Sequence, residues 1–422
     1  MHTKGVFWAG SDDGLVHLSL DNGQTWENVT PANMPEWALI SSVSVSPHND
    51  ATAYIAATLY QFDDMRPILF KTHDYGKTWI DISRGIPEGD FTRVIREDPD
   101  RPGLLYVGTE TGIYVSFDDG VNWLSLQLNL PRVPVYDMAF KGGDLIVATH
   151  GRSFWILDDL SVLHQIDEQT INLDVHLFEP RRINYRLLAS ARMPRRALPG
   201  KNYHRVSGEA VAYYQRKDSS GATENVYLDA GENPPGGVAV TYYLNEIPKG
   251  DVLLTFLDQN GEIIDTFSSN VENHKLIAPR VGMNRFVWDM YYPGELRYGR
   301  NSGIPIGARP VAPPGSYQVA ITISGSKHLR TFEILKDPRV EATDADLKLQ
   351  FDLHLKIRDK LSAVNKALEK LRNTRRQIFD WVELANGTDV YESVSQLANA
   401  IESTFESIAV SYTHLRAHET EA

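Results

Sequence analysis

A hydroxyl-x-Asp-x-Gly-x-x-Trp pattern occurs three times in this chain and constrains its fold more than any other feature. It reads SLDNGQTW from Ser19 to Trp26, THDYGKTW from Thr72 to Trp79 and SFDDGVNW from Ser116 to Trp123. The spacing suits a tight hairpin tied by its own side chains. The Asp carboxylate and the Ser or Thr hydroxyl accept backbone N–H bonds, and Gly takes a positive φ. The Trp then folds back over the turn as an apolar lid. Ser19, Asp21, Gly23, Trp26, Thr72, Asp74, Gly76, Trp79, Ser116, Asp118, Gly120 and Trp123 are therefore expected to be structural. A carboxylate whose lone pairs go to backbone amides has none left for proton transfer.

The three aspartates Asp21, Asp74 and Asp118 stand 53 and 44 residues apart, each interval long enough for one four-stranded sheet. A strand, turn, strand pattern precedes every copy: VFWAG-SDDG-LVHLSL, TAYIAAT-LYQFDDMRP-ILFKTH and LLYVG-TETG-IYVSF. A decayed fourth copy, LIVAT-HGRS-FWILDD, keeps Asp158 but has lost the hydroxyl, Gly and Trp. On these residues the sequence resembles the Asp-box (BNR) repeat of sialidases, xyloglucanases and sortilin. The resemblance implies a β-propeller in which residues 1–160 supply three to four blades. Closed propellers typically have four to eight, so the chain is expected to be the C-terminal piece of a longer protein, with Met1 internal.

In a propeller the box lies on one face, while the second-to-third-strand turns share the other with the connections between blades. That topology nominates the residues of a binding face: Asp12, Asp13, Asp63, Asp64, Arg66, Arg93, Glu110, His150 and Arg152. Carboxylates and arginines converging there suit a sugar or a peptide terminus; the plainer reading makes them solvated turn residues. A glycosidase needs two carboxylates across the scissile bond, for which Asp12, Asp63 and Glu110 are the candidates without a ranking. No Arg triad with a Tyr nucleophile can be placed.

A net charge of −13 over 422 residues argues against nucleic acid or an anionic membrane as the main partner. The absence of Cys excludes disulfides, thiol catalysis and zinc-thiolate sites, and neither a cofactor nor a metal is expected. No apolar run is long enough to span a bilayer, and no signal peptide opens the sequence.

Residues 161–225 read as a strand-poor connector, with a basic RRINYRLLASARMPRRALPGK stretch open either to nucleic-acid binding or to lying against an acidic surface. From about Val226 to 340 the alternation returns, with Asn260-Gly261 as a hairpin turn. The strand order resembles the immunoglobulin-like domain of flagellar hook-capping proteins, with Trp288 as a core anchor. Residues 341–409 begin with a capping box, Thr343 to Asp346. The heptad stripe Ile357, Leu361, Val364, Leu368, Leu371 and a second run, Leu397, Ile401, Phe405, Ile408, then predict an antiparallel helical hairpin fit to pack or to dock a partner. Residues 410–422 resemble a translated sequencing adapter. The native sequence is expected to end near Ala409, and His414 and His418 are not read as metal ligands.

The fold class is thus mostly β: a partial Asp-box β-propeller followed by an Ig-like β-sandwich and a C-terminal α-helical hairpin. Together these features resemble the sortilin-like or BNR-repeat proteins labelled glycosyl hydrolases, which are typically exported. The resemblance implies an extracellular or periplasmic, non-catalytic scaffold binding a peptide or glycan. The alternative is a xyloglucanase-like glycoside hydrolase with part of its site in missing N-terminal blades.

Overall fold

Alternating apolar residues and short turns fold the first part of the chain into small antiparallel sheets. The computed structural model describes residues 3–167, 169–186, 200–206, 209–217, 223–228, 231, 236–270, 275–295 and 309–418. Sheet 1 contains β1 (Phe7–Gly10), β2 (Val16–Ser19) and β3 (Glu27–Asn28). Sheet 2 contains β4 (Leu39–Val45), β5 (Ala53–Leu59), β6 (Asp64–Thr72) and β7 (Ile80–Asp81). Sheet 3 repeats that order with β8 (Thr92–Glu97), β9 (Leu105–Thr109), β10 (Ile113–Ser116) and β11 (Leu124–Ser125). Sheet 4 has β12 (Val135–Lys141), β13 (Asp144–Thr149) and β14 (Phe154–Leu157).

Successive sheets bury both faces of the strands between them. All of β5 is buried: Ile55, Ala57 and Leu59 enter the core shared with sheet 1, whereas Tyr54 and Ala56 enter the core shared with sheet 3. A third core joins sheets 3 and 4 through Val94, Tyr106, Val135, Met138 and Leu145. Each fully buried aliphatic side chain contributes about 1.5–3 kcal/mol, so these joints dominate the packing of the array.

The boxes link β2 to β3, β6 to β7 and β10 to β11. In the third, the Asp118 carboxylate accepts from the amide of Asn122 at 2.9 Å, and the Ser116 hydroxyl accepts from the amide of Gly120 at 2.9 Å. The other two boxes repeat the pattern. Two tryptophans differ from the expected lids. Trp79 Nε1 donates to Val29 O and Trp123 Nε1 to Ile82 O, both at 2.7 Å, fastening each sheet to the one before it. Trp26 alone keeps the lid position, half exposed over its own Gly23.

The expected strand-poor connector contains several elements. A short helix, α1 (Ser161–Gln165), is followed by β15 (Val175–Leu177) and β16 (Ile183–Arg186), and then by an antiparallel sheet of β17 (Asn202–Val206), β18 (Glu209–Lys217) and β19 (Thr223–Tyr227). β15 pairs with β20 (Val238–Leu244), far along the chain, so local periodicity could not reveal it. Arg192, Arg195 and Arg196 of the basic stretch lie outside the described residues.

The chain divides into two compact units, residues 1–182, 189–249 and 278–287, and residues 183–188, 250–277 and 288–422. In the second, β21 (Val252–Leu257) and β22 (Ile263–Ser268) form the hairpin turned by Asn260-Gly261, with Gly261 at φ 83°. Downstream come β23 (Lys275–Leu276), β24 (Gly282–Trp288), which up to Val287 belongs to the first unit and joins the sheet of β15 and β20, then β25 (Gly315–Ile323) and β26 (Ser326–Lys336). The six-stranded sheet is ordered β16-β26-β25-β21-β22-β23. Trp288 is fully buried in this unit, stacked on Phe256 at 4.8 Å and edge-on to Phe332 at 6.2 Å.

The capping box opens α2 (Asp344–Ala385), where the Thr343 hydroxyl accepts from the Asp346 amide and the Asp346 carboxylate accepts from the Thr343 amide. Asn386 caps its C-terminus and Gly387 takes φ 83° before α3 (Tyr391–His418), which runs past Ala409. Phe351 of α2 is buried against Tyr292. Among the described residues no helix is long and apolar enough to cross a membrane.

Candidate functional site

The opening strands of sheets 2, 3 and 4 share an irregularity near their start. Register breaks between Ile40 and Ser42, between Thr92 and Val94, and between Val135 and Asp137, so Ser41, Arg93 and Tyr136 are the extra residues of three β-bulges. A bulge twists the strand and re-aims the side chain at that point. All three stand at the strand end opposite the boxes, where β5 turns into β6, β9 into β10 and β13 into β14.

Around Arg93 this end of the array gathers a cluster from three sheets. The guanidinium lies 4.2 Å from the Tyr136 ring centre, 4.9 Å from Phe91 and 5.6 Å from Tyr60. Tyr60 and Phe91 stack at 4.9 Å. Arg93 Nε and Nη2 both donate to Glu110 Oε2, at 2.8 and 2.5 Å. His150 sets its ring edge-on to Tyr136 at 5.0 Å, and its amide donates to Pro134 O. Cation–π contacts of a partly desolvated Arg contribute on the order of 1 kcal/mol each. With the Glu110 ion pair they fix Arg93 as a scaffold beneath Tyr136, which stays half exposed.

Of the residues nominated from the sequence, Arg93, Glu110 and His150 come together. Asp64 and Arg66 form their own ion pair at 2.8 Å. Asp63 takes a left-handed φ of 62° and its amide donates to Tyr60 O. Asp12 and Asp13 occupy the β1–β2 turn, where Ser11 holds the Asp13 carboxyl below its usual pKa. Asp13 O accepts from the Trp37 amide at 3.2 Å, which places Trp37 beside that turn. The Arg152 side chain is exposed, and its carbonyl accepts from Trp155 Nε1. The glycosidase candidates Asp12, Asp63 and Glu110 thus stand on separate turns, with Glu110 engaged by Arg93.

Tyr60, Phe91 and Tyr136 escaped sequence reasoning, as did Asp90. Asp90 is buried and accepts from the Thr109 and Thr111 hydroxyls, the Thr111 amide and Tyr114 OH, which locks the turn carrying Glu110. For Phe91 and Tyr136 the available signal was an aromatic beside the first residue of a strand; Tyr60 and Asp90 carried none.

A second polar cluster lies at the box end. Asp98, fully buried, accepts from the Asp100 and Arg101 amides, Tyr106 OH at 3.1 Å and His164 Nε2 at 2.9 Å. Burial alone would raise its pKa, but the bonds led by His164 bring it below the usual carboxylate range. His164 is raised by its hydrogen bond to Asp98, against its own desolvation. Asp98, Asp100 and His164 each bring one ligand atom within 4.8 Å of the others, yet the four bonds already occupy both Asp98 oxygens. Arg101 Nη1 donates to Leu163 O and Ile166 O, so the cluster clasps α1 to sheet 3. Two cavities of about 350 Å³ lie apart from the bulged end, one beside Val29 and Trp79 and the other beside Asp98, Gly143 and Leu160.

Compared by sequence, the chain matches no family model and no curated protein. Several solved structures are similar in part. YCF48 bound to a D1 peptide is 22% identical, with a TM-score of 0.30, over 37% of this chain and 49% of that one. A GH74 enzyme of Niastella koreensis is 13% identical, with a TM-score of 0.31, over 79% of this chain and 52% of the enzyme. The GH74 xyloglucanase of Xanthomonas campestris is 13% identical, with a TM-score of 0.29, over 75% of this chain and 48% of that one. The chain thus spans about half the length of these three proteins.

Proposed function

We propose that the chain is a non-catalytic binding scaffold of the sortilin-like, BNR-repeat kind, exported to the extracellular space or periplasm. It takes a peptide or glycan on the bulged end of sheets 2 to 4. On this reading sheets 1 to 4 are propeller blades, residues 226–340 an immunoglobulin-like domain, and α2 with α3 a hairpin that docks a partner protein.

The observation that carries the proposal is the threefold recurrence of a bulge at Ser41, Arg93 and Tyr136. Bulges concentrate where side chains must be re-aimed, and these set an exposed ring above a fixed guanidinium. Such a surface offers stacking area together with hydrogen-bonding groups, as binding sites require. Catalysis is the weaker reading, because Glu110 is tied up by Arg93. Exposed aromatics suit a sugar ring as well as a peptide, so a glycoside hydrolase is the second reading.

The test is to probe the full chain against oligosaccharide and peptide arrays, beside Tyr136→Ala, with a hydrolysis assay on every glycan bound. Binding without hydrolysis that falls at least tenfold in Tyr136→Ala supports the scaffold. Turnover lost in Glu110→Gln would replace it with the hydrolase, and binding indifferent to Tyr136 would refute the site.

A further inference from the structure

Resting on the binding face just described, we infer that its ligand is a peptide segment bearing Lys or Arg side chains. The starting observation is aromatic. Trp37 and Phe62 are each 62% exposed and Tyr136 is 49% exposed. The register puts all three at the bulged end. Trp37 precedes β4, whose Leu39 faces Thr58 near the end of β5; Phe62 lies in the link from β5 to β6; and Tyr136 is the bulged residue of β12. Bulky rings left in water on one surface mark an interaction site.

Charge then selects the occupant. Arg66 is neutralised by Asp64 and Arg93 by Glu110, so neither is free to receive an anionic ligand, and the exposed Arg132 and Arg152 belong to the connections of sheet 4, not to the turns of sheets 1 and 2. Asp12, Asp13, Glu36 and Asp63 are exposed at the same end and make no ion pair among the described residues. Glu36 is the chain neighbour of Trp37, and the Asp13 backbone carbonyl accepts from the Trp37 amide. Asp63 follows Phe62 directly. At the bulged end of sheets 1 and 2 the exposed rings Trp37 and Phe62 therefore each adjoin in the chain a carboxylate residue outside any ion pair among the described residues, the combination that holds a Lys ammonium or an Arg guanidinium by cation–π and ionic attraction together. An anionic ligand would meet repulsion from these carboxylates, while a neutral glycan, whose hydroxyls can donate to them, would leave their charge uncompensated.

The experiment measures binding of labelled nine-residue peptides to the full chain by fluorescence anisotropy. One set carries Lys or Arg at alternate positions, a second carries Glu there and a third Ser, with neutral oligosaccharides in parallel. The basic set is expected to bind most tightly and to weaken as NaCl rises from about 50 to about 500 mM, because exposed charges are screened. Asp12→Asn and Asp63→Asn should each cost about 2- to 5-fold in Kd, and Asn tolerates the left-handed backbone at position 63. Trp37→Ala should cost about 3- to 30-fold. Equal or tighter binding of the Glu or Ser peptides, or of a glycan, with loss in Tyr136→Ala, overturns the inference while the face survives. Binding of no probe overturns both.

Discussion

At the residue scale, the box aspartates and the clasp around Asp98 make separate demands on the chain. Asp74 is held at about 2 chiefly by the Thr78 hydroxyl and amide, and Asp21 is lowered in the same way by Thr25. Asp118→Ala leaves the turn amides it accepts from unsatisfied and should cost about 1–3 kcal/mol; an unchanged melting temperature would contradict the structural role. His164 supplies a pH dependence with a defined sign. Its pKa is raised in the fold, so its contribution is complete below the unfolded value of about 6.5 and is lost as pH rises through the folded value. Asp98 is lowered, so its contribution holds above the usual carboxylate value and fades as pH falls. The melting-temperature gap between wild type and His164→Gln should therefore be widest near pH 5 to 6 and narrow by pH 9; a gap independent of pH would exclude the charged clasp. The box aspartates were legible because their partners lie within four residues. Asp98 was not, since its His164 partner is 66 positions away.

At the element scale, the joints between sheets depend on close approach at the box glycines. A Cβ on Gly120 would sit 2.9 Å from Ile82 Cδ1, and one on Gly76 would sit 2.8 Å from Val29 Cβ, whereas on Gly23 the nearest atom is 3.9 Å away. All three have φ near +80°, so each Ala substitution strains the turn, but only the first two also wedge a joint. Gly120→Ala should cost about 2–4 kcal/mol against about 1 kcal/mol for Gly23→Ala, measured by denaturant unfolding; equal losses would mean that the joints yield. In α2 the capping box satisfies end groups, and Thr343→Ala should cost about 1 kcal/mol and fray the first turn, read by amide exchange at residues 344–348. Element types were legible wherever pairing is local, as in the hairpin at Asn260-Gly261. They were hidden where strands pair over long separations, as β16 does in parallel with β26. Their parallel register runs from Ile183 opposite Glu333 to Arg186 opposite Lys336, and no turn in the sequence announces it.

At the scale of the whole molecule, the order of sheets was legible in the repeat, whereas the proposed binding surface was legible only in part. Arg93, Glu110 and His150 were nominated for charge and position. Their significance comes from the bulges, which leave no mark in composition, and from Tyr60, Phe91 and Tyr136, which read as ordinary residues of turns and connections. The proposed ligand site at that end, with the boxes holding the array together, would divide function from structure along the strands. The division is tested most directly by hydrogen exchange of the full chain with and without the tightest-binding array ligand. Protection should concentrate at residues 36–42, 58–66, 91–93, 109–112 and 134–137, leaving residues 19–26, 72–79 and 116–123 unchanged. Protection centred on the three boxes, with the bulged end unaffected, would contradict the account.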